Sequence, residues 1–185
     1  MHYLDHNATS PLRPESLSAV THALTIGGNP SSIHGAGRAA RAVMEEARER
    51  IAALVGAKPA QVIFTGGATE SCHLALFGAA EGSLEGDGAK AAGRITRIFV
   101  SAVEHKAVLA NAVRLAERFP WVHVTVLPVT ADGVIDLEAL RVALREGKGR
   151  TLVAVMAANN EIGVIQPIAE VSRMVHEAGG LLMID

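Results

Sequence analysis

The chain has 185 residues, of which 49% are apolar and 19% charged, so it can build a packed core and is not expected to be disordered. Its formal charge of −2 and its 3% aromatic content argue against a nucleic-acid surface, and no apolar run reaches the roughly 18 residues of a membrane span. The single cysteine, Cys72, excludes an intrachain disulfide and a cysteine-based zinc site, and residues 1–6 lack signal-peptide features, so a cytoplasmic protein is expected.

The first 56 residues are predicted to form an arm, a short helix, a loop and a long helix. Residues 3–11 have the composition of an extended arm, and residues 14–26 that of a helix with a proline in its first turn. Residues 27–32 contain a glycine pair and are expected to form a loop. A long helix begins at Gly35, where apolar residues recur at helical spacing, and Gly56 ends it.

From residue 61 onward, short apolar strands alternate with helices. The predicted strands are residues 61–65, 95–101, 122–127, 152–156 and 181–184. The predicted helices are residues 68–80, 104–118, 136–145 with Asp136 as its cap, and 168–178. Residues 83–93 are polar and rich in glycine, which predicts a surface loop. The alternation predicts an α/β fold in which a mainly parallel sheet is flanked by helices.

Residues 66–71 follow the first predicted strand, at the sheet edge where ligands bind in folds of this kind. Their two glycines let a ligand approach the backbone, the helix start offers free N–H groups, and Thr69 adds a hydroxyl. This pattern is typical of a phosphate cradle, and it is equally typical of an ordinary strand-to-helix turn capped by Thr69. It matches neither of the glycine-rich nucleotide-binding motifs.

Three further polar side chains follow later strands. His105 can stack on a planar ligand or transfer a proton, although a solvated histidine in a first helical turn gives the same pattern. Asn159 follows the fourth strand, where asparagine also suits a plain turn. Asp185 ends the fifth strand, where a carboxylate needs a cation or a donor nearby unless it lies in solvent.

A phosphate-type turn, an imidazole, a carboxamide and a carboxylate are thus predicted at one edge of one sheet. Together they suit an anionic, planar, nitrogen-containing cofactor such as pyridoxal 5′-phosphate (PLP). That cofactor needs an anion cradle, a group that stacks on its ring, a donor for its phenolic oxygen and a carboxylate for its ring nitrogen.

Five segments, in order along the chain, resemble the cysteine desulfurases, within the class V aminotransferase-like branch of PLP enzymes. They are residues 3–9 (YLDHNAT), 28–34 (GNPSSIH), 67–71 (GATES), 104–108 (EHKAV) and 159–163 (NNEIG). The resemblance implies the large domain of an aspartate aminotransferase-like PLP-dependent transferase, truncated here. Residues 1–13 would be an N-terminal arm on the small-domain side, and residues 14–185 an incomplete PLP-binding large domain.

The resemblance also implies an activity and partners. The activity would be the removal of sulfur from L-cysteine, giving alanine and an enzyme persulfide for iron–sulfur cluster or thio-cofactor synthesis. Besides L-cysteine, the implied partners are a sulfur-acceptor or iron–sulfur scaffold protein and, in the full-length form, a second copy in a homodimer. No nucleic acid, membrane or metal ion is expected to bind.

The family pattern assigns roles to five residues of this chain. Ala68 and Thr69 would hold the PLP phosphate through backbone N–H groups and a hydroxyl. His105 would stack on the pyridine ring and assist proton transfers. Asn159 would contact the phenolic oxygen and lie near the substrate carboxylate, and Asp185 would pair with the ring nitrogen.

Two residues of the family pattern have no counterpart in this chain. The family's Schiff-base lysine lies beyond the position of Asp185, and none of Lys58, Lys90, Lys106 and Lys148 matches it. The family's sulfur-accepting cysteine also lies further on, and Cys72 is expected to be a small buried apolar residue of a helix. We therefore expect an N-terminal fragment that has no desulfurase activity alone.

Three alternatives remain open at this point. The chain could belong to another class V PLP enzyme, a selenocysteine lyase or an aminotransferase, because these share the cofactor site. It could be a non-catalytic partial subunit that only dimerises or binds a partner. A nucleotide-binding module is the weakest alternative, because the expected glycine fingerprint is absent.

Overall fold

The computed structural model describes residues 2–4, 6, 9–82 and 94–185. The chain divides into two compact units, residues 1–64 and residues 65–185. The surface loop predicted at residues 83–93 lies outside the described residues. The division into an arm of residues 1–13 and an incomplete large domain stays a prediction.

The first unit contains two helices joined by a tight loop. Helix α1 spans Pro14–Ile26 and helix α2 spans Gly35–Leu54, as the sequence predicts. The imidazole of His34 caps α2 by accepting a hydrogen bond from the backbone N–H of Gly37 at 3.3 Å. A Cβ atom on Gly37 would lie 2.3 Å from the carbonyl oxygen of Ser32, so only glycine permits this close approach of loop and helix.

The strand predicted at residues 61–65 is not observed, and the prediction is wrong. Pro59–Gln61 form a short 3₁₀ helix, and residues 62–65 have no regular structure. The backbone of Val62 is extended, with φ −90° and ψ 124°, so the local preference is present. Among the described residues no strand pairs with this segment, and Ile63 is 74% exposed. A strand needs the hydrogen bonds of a neighbour, and extended residues without one do not form a ladder.

The second unit alternates helices with the strands of one sheet. Its helices are α3 (Ala68–Gly82), α4 (Lys106–Arg118), α5 (Leu137–Arg145) and α6 (Ile168–Glu177). Its strands are β1 (Ile95–Ser101), β2 (His123–Leu127), β3 (Arg150–Val155) and β4 (Leu181–Ile184). The strand order is β2-β1-β3-β4 and every pair is parallel, which confirms the predicted α/β fold with a parallel sheet.

Apolar clusters cover both faces of this sheet. Ile98 of β1 belongs to a cluster with Leu76 of α3 and Leu115 of α4. The adjacent Phe99 belongs to a second cluster, which includes Leu140 of α5. Successive residues of a strand point to opposite faces, so continuous apolar runs here reflect burial on both sides.

Three of the candidate residues follow the carboxyl ends of strands: His105 follows β1, Asn159 follows β3 and Asp185 follows β4, whereas no strand precedes the turn of Ala68 and Thr69. Helix α4 begins at Lys106, two residues later than predicted, because His105 has extended backbone and serves as its N-cap. Strand β3 begins at Arg150, two residues earlier than predicted, because Arg150 pairs with Ile95 of β1.

No helix in the described part of the chain is long and apolar enough to cross a membrane.

Candidate functional site

An open pocket of about 860 Å³ lies between the turn that precedes α3 and the first turns of α4. This volume lies within the range typical of small-molecule sites, about 300–1,000 Å³. The residues that line it include three sequence-predicted site residues, namely Ala68, Thr69 and His105. The structure therefore brings the predicted phosphate turn and the predicted imidazole to one cavity.

The turn before α3 presents unpaired backbone donors. The N–H of Ser71 donates to the carbonyl of Gly67 at 3.1 Å, which is the first backbone hydrogen bond of the helix. The N–H groups of Ala68, Thr69 and Glu70 precede that bond, so they have no partner within the helix. A Cβ on Gly67 would contact nothing within 4 Å, so a ligand has room to approach. These features fit an anionic group at the positive end of the helix dipole.

Glu70, and not Thr69, closes this turn. Its carboxylate accepts a hydrogen bond from the N–H of Gly66 at 2.6 Å. Within the described part of the chain, the hydroxyl of Thr69 makes no hydrogen bond. The alternative of an ordinary turn capped by Thr69 is therefore not observed, and that hydroxyl is available to a ligand.

His105 stands on the opposite wall of the pocket in a defined orientation. Its Nδ1 atom accepts a hydrogen bond from the N–H of Ala107 at 3.1 Å, which caps α4. An imidazole whose Nδ1 is an acceptor carries its proton on Nε2 when it is neutral. The ring therefore offers an Nε2–H group and a flat face that is exposed beside the phosphate turn.

A second histidine lines the same pocket, and the sequence reasoning missed it. The Nδ1 atom of His73 lies 3.0 Å from Oδ1 of Asn111, whose Nδ2 donates to the carbonyl of Ala107 at 2.8 Å. Because Asn111 presents its oxygen, His73 must donate from Nδ1. Its ring also stacks on Phe77, with 4.2 Å between the ring centroids. The sequence could have indicated His73, because it follows Thr69 by four residues and so lies on the same face of the helix.

The charged side chains that line the pocket favour an anion. Lys106 and Arg114 are exposed on the α4 wall, and neither forms an ion pair with a described residue. Glu70 is the one carboxylate among the lining residues, and the N–H of Gly66 binds it. The pocket wall therefore adds positive charge to the N-terminal end of α3.

Glu104 is a buried carboxyl group immediately before His105. It is 6% exposed, and its Oε1 accepts hydrogen bonds from the hydroxyl of Ser101 at 2.5 Å and from the N–H of Met156 at 2.7 Å. Burial raises the pKa of Glu104 above its ordinary value of 4.5, and the negative charge of Asp185 adds to the increase. The two hydrogen bonds act in the opposite direction but do not cancel the effect of burial.

Replacing Glu104 with glutamine is expected to change how stability depends on pH. A carboxyl group whose pKa is raised in the folded state contributes stability below its unfolded pKa, and this contribution is lost as the pH rises through the folded value. From about pH 4.5 upward, the wild-type free energy of unfolding should therefore fall relative to that of Glu104→Gln. The slope is at most about 1.4 kcal/mol per pH unit. Urea unfolding at several pH values measures it, and parallel curves for the two proteins would contradict a raised pKa.

Asn159 lies outside this pocket and all of its hydrogen-bonding capacity is used within the chain. Its Nδ2 donates to the carbonyl of Val103 at 2.7 Å and contacts the sulfur of Met156 at 3.2 Å. Its Oδ1 accepts from the N–H groups of Glu161 and Ile162. The weak contact with sulfur is the one that a ligand oxygen could replace at least cost.

Asp185 and Cys72 lie close enough to Glu104 for their charges to interact, and neither residue lines the pocket. The carbonyl oxygen of Asp185 accepts a hydrogen bond from the N–H of Ala157 at 2.6 Å, which continues the pairing of β3 with β4. Cys72 is 2% exposed, as predicted, and burial raises the pKa of its thiol, with further increases from the charges of Asp185 and Glu104. The buried thiol is therefore poorly suited to be a nucleophile. Among the described residues, no group of three His, Cys, Asp or Glu side chains could hold a metal ion.

The comparisons with known proteins identify the family of the chain. The sequence model of the Aminotransferase class-V family matches residues 2–185, and the chain belongs to this family. Enzymes of this class use PLP, the predicted cofactor. The free N–H groups at α3, the open space at Gly67 and the exposed ring of His105 fit its phosphate and its planar ring.

Particular relatives within the family are cysteine desulfurases and a selenocysteine lyase. The chain is 45% identical over 179 residues to the IscS-like cysteine desulfurase of Mycobacterium tuberculosis, covering 97% of this chain and 44% of that protein. It is 38% identical to the selenocysteine lyase of Bos taurus, covering 97% and 44% of the two chains. A solved NifS-like protein superposes with a TM-score of 0.84 at 35% identity, covering 98% and 47%. The chain thus spans less than half the length of these relatives.

Proposed function

We propose that this chain is the N-terminal portion of a PLP-dependent cysteine desulfurase and that its pocket binds the phosphate and ring of the cofactor. The observation that carries the proposal is the shared cavity of the unpaired N–H groups at α3 and the imidazole of His105. In this proposal residues 14–185 are part of the large domain, and residues 1–13 are an arm on the small-domain side.

The phosphate would bind at the start of α3. The N–H groups of Ala68 and Thr69 would donate to its oxygens, and the hydroxyl of Thr69 would add a third donor. Lys106 and Arg114 line the same pocket and would attract the anion. The dipole of α3 favours negative charge at this end, where Gly67 leaves space.

The cofactor ring would lie against His105. When bound, the cofactor supplies an electron sink that stabilises a carbanion at the substrate Cα. His105 holds a proton at Nε2, while its Nδ1 is fixed by the N–H of Ala107. The face of the imidazole would stack on the ring. Once the substrate sulfur has passed to a cysteine thiolate of the full-length enzyme, breaking the carbon–sulfur bond, Nε2 would donate its proton to the carbon that becomes the methyl group of alanine.

Asp185 and Asn159 would hold the far side of the ring. Asp185 follows β4 and would pair with the protonated ring nitrogen, because a carboxylate stabilises that cation. Asn159 would turn its second N–H from the sulfur of Met156 to the phenolic oxygen. Its bond to Val103 would keep the side chain in place during that exchange.

The proposed substrate is L-cysteine, and the proposed products are alanine and an enzyme persulfide. Several relatives carry the name cysteine desulfurase, which supports this substrate. The 38% identity to a selenocysteine lyase supports the second candidate, in which selenium takes the place of sulfur. A cytoplasmic homodimer of the full-length protein that passes sulfur to an acceptor or iron–sulfur scaffold protein completes the proposal.

A chimera tests the proposed function. Residues 1–185 would be joined to the C-terminal part of the Mycobacterium tuberculosis relative, which is 45% identical in the aligned region. The chimera is expected to form alanine from L-cysteine when PLP is added. The C-terminal part supplies the lysine and the sulfur-accepting cysteine, so this result tests whether residues 1–185 supply a working PLP site for desulfuration.

Two controls accompany the chimera. The 185-residue chain alone is expected to form no alanine, since none of its four lysines matches the family's cofactor-bearing position. A chimera with His105→Ala should lose turnover but still fold. A folded chimera that takes up PLP and forms no alanine would contradict the desulfurase assignment.

A further inference from the structure

The turn that carries His105 joins β1 to α4 and is tied to β2 and to the loop that follows β3. On one side, the N–H of Ala102 donates to the carbonyl of Leu127, the last residue of β2, at 2.9 Å. On the other side, the side-chain Nδ2 of Asn159 donates to the carbonyl of Val103 at 2.7 Å. These two hydrogen bonds hold the first half of the turn, residues 102 and 103.

The second half of the turn is held by Glu104, whose backbone N–H donates to the carbonyl of Ser101 at 3.3 Å and whose side chain reaches across to the loop after β3. A single oxygen, Oε1, accepts both the hydroxyl of Ser101 at the end of β1 and the N–H of Met156 just beyond β3. The second oxygen, Oε2, is buried and has no hydrogen-bond partner among the described residues. A buried carboxyl group at a position with one unsatisfied oxygen is costly, so it is expected to have a specific role.

We propose that Glu104 is a positioning residue, which fixes the place and the orientation of His105 by tying the end of β1 to the end of β3. His105 directly follows Glu104 and is exposed, so no packing of its own holds the ring. Among the described residues, the ring makes one hydrogen bond, to Ala107 at the first turn of α4. A shift of Glu104 would therefore move the imidazole relative to the start of α3 across the pocket.

The raised pKa of Glu104 supports this role. Burial and the nearby charge of Asp185 both raise the pKa of Glu104, so a negative charge on this carboxyl group is disfavoured where it joins the two segments. The inference rests on the proposed function only for the role of His105 beside the cofactor. The positioning of His105 by Glu104 is a property of the chain without a cofactor.

The orientation of His105 can be measured directly by NMR. The 15N signals of the His105 ring show which nitrogen carries the proton, and a His105→Gln variant assigns them. The hydrogen-exchange rate of the Ala107 amide shows whether its hydrogen bond to Nδ1 of His105 is intact. We expect wild type and Glu104→Gln to show one tautomer with the proton on Nε2, because glutamine keeps an oxygen acceptor and the same length. In Glu104→Ala both tautomers should appear, and exchange at Ala107 should be about tenfold faster, as expected for a lost buried hydrogen bond.

Gln166→Ala is the matched control. Gln166 is also buried and also joins two segments, by accepting from the N–H of Ile135 and donating to the carbonyl of Gly133, each at 2.8 Å. Its loss should lower stability without altering His105. If Glu104→Ala does not fold, Glu104→Asp replaces it, because the shorter side chain cannot reach both Ser101 and Met156.

Two results would overturn the inference: a wild-type tautomer and wild-type exchange at Ala107 in the alanine or aspartate variant, or equal changes in Gln166→Ala. None of these measurements includes PLP. A failure to bind PLP would therefore count against the proposed function and leave the positioning role of Glu104 intact.

Discussion

Ala68→Pro is expected to weaken binding of 4-deoxypyridoxine 5′-phosphate by about tenfold to a hundredfold, the equivalent of one hydrogen bond to a charged group, about 1.5–3 kcal/mol. This analogue keeps the phosphate and ring of PLP but has no aldehyde, so it cannot bond to lysines. Proline lacks the N–H that Ala68 would donate to the phosphate. It is tolerated at the first position of a helix, and Ala68 is the first residue of α3.

The control for Ala68→Pro is the same analogue without its phosphate. Its affinity should be the same for the variant and the wild type, because it makes no contact with the turn. The thermal midpoint of the variant should also be unchanged, since the N–H of Ala68 is not used within the helix. Equal affinity of both proteins for the phosphorylated analogue would contradict the proposed phosphate site.

Leu76→Ala is expected to lower the free energy of unfolding by about 2–5 kcal/mol, the usual cost of removing a fully buried leucine side chain. Leu76 is 0% exposed and belongs to the apolar cluster through which α3 packs against the sheet. Because α3 presents the phosphate turn, its docking also fixes the turn against α4. Urea unfolding followed by far-ultraviolet circular dichroism measures the change.

Leu74→Ala is the matched control for this substitution. Leu74 belongs to the same helix but is 47% exposed, so its truncation should cost less than about 0.5 kcal/mol. Both substitutions change helix propensity equally. The difference between their unfolding free energies therefore measures the contribution of burying Leu76 against the sheet. A similar loss of stability in the two variants would contradict the described packing of α3.

The strands of the sheet were predictable because burial on both faces leaves a continuous apolar signal. Residues 95–101 and 181–184 have the observed bounds of β1 and β4. Residues 61–65 gave a similar local signal without forming a strand, because pairing depends on a neighbour that a local window does not reveal. The start of β3 was missed for the same reason, as its pairing with Ile95 decides it.

The site was predictable in its parts but not in its connections. Thr69 and His105 were expected near each other, and they line one pocket. The reason given for Thr69 was wrong, because no strand precedes its turn; the packing of α3 in the same apolar cluster as α4 brings it there. The roles of Asn111 and Glu104 could not be predicted, because they depend on partners that are distant in sequence. Met156, which binds Glu104, lies 52 residues away from it.

In the proposed function, one pocket between α3 and His105 holds both the phosphate and the ring of PLP. Adding 4-deoxypyridoxine 5′-phosphate to the 15N-labelled chain tests this proposal. We predict that the amide signals of Ala68 and Thr69 and the ring signal of His105 will shift together, with a single dissociation constant. Saturating analogue that leaves these three signals in place, or shifts only residues elsewhere, would contradict the claim.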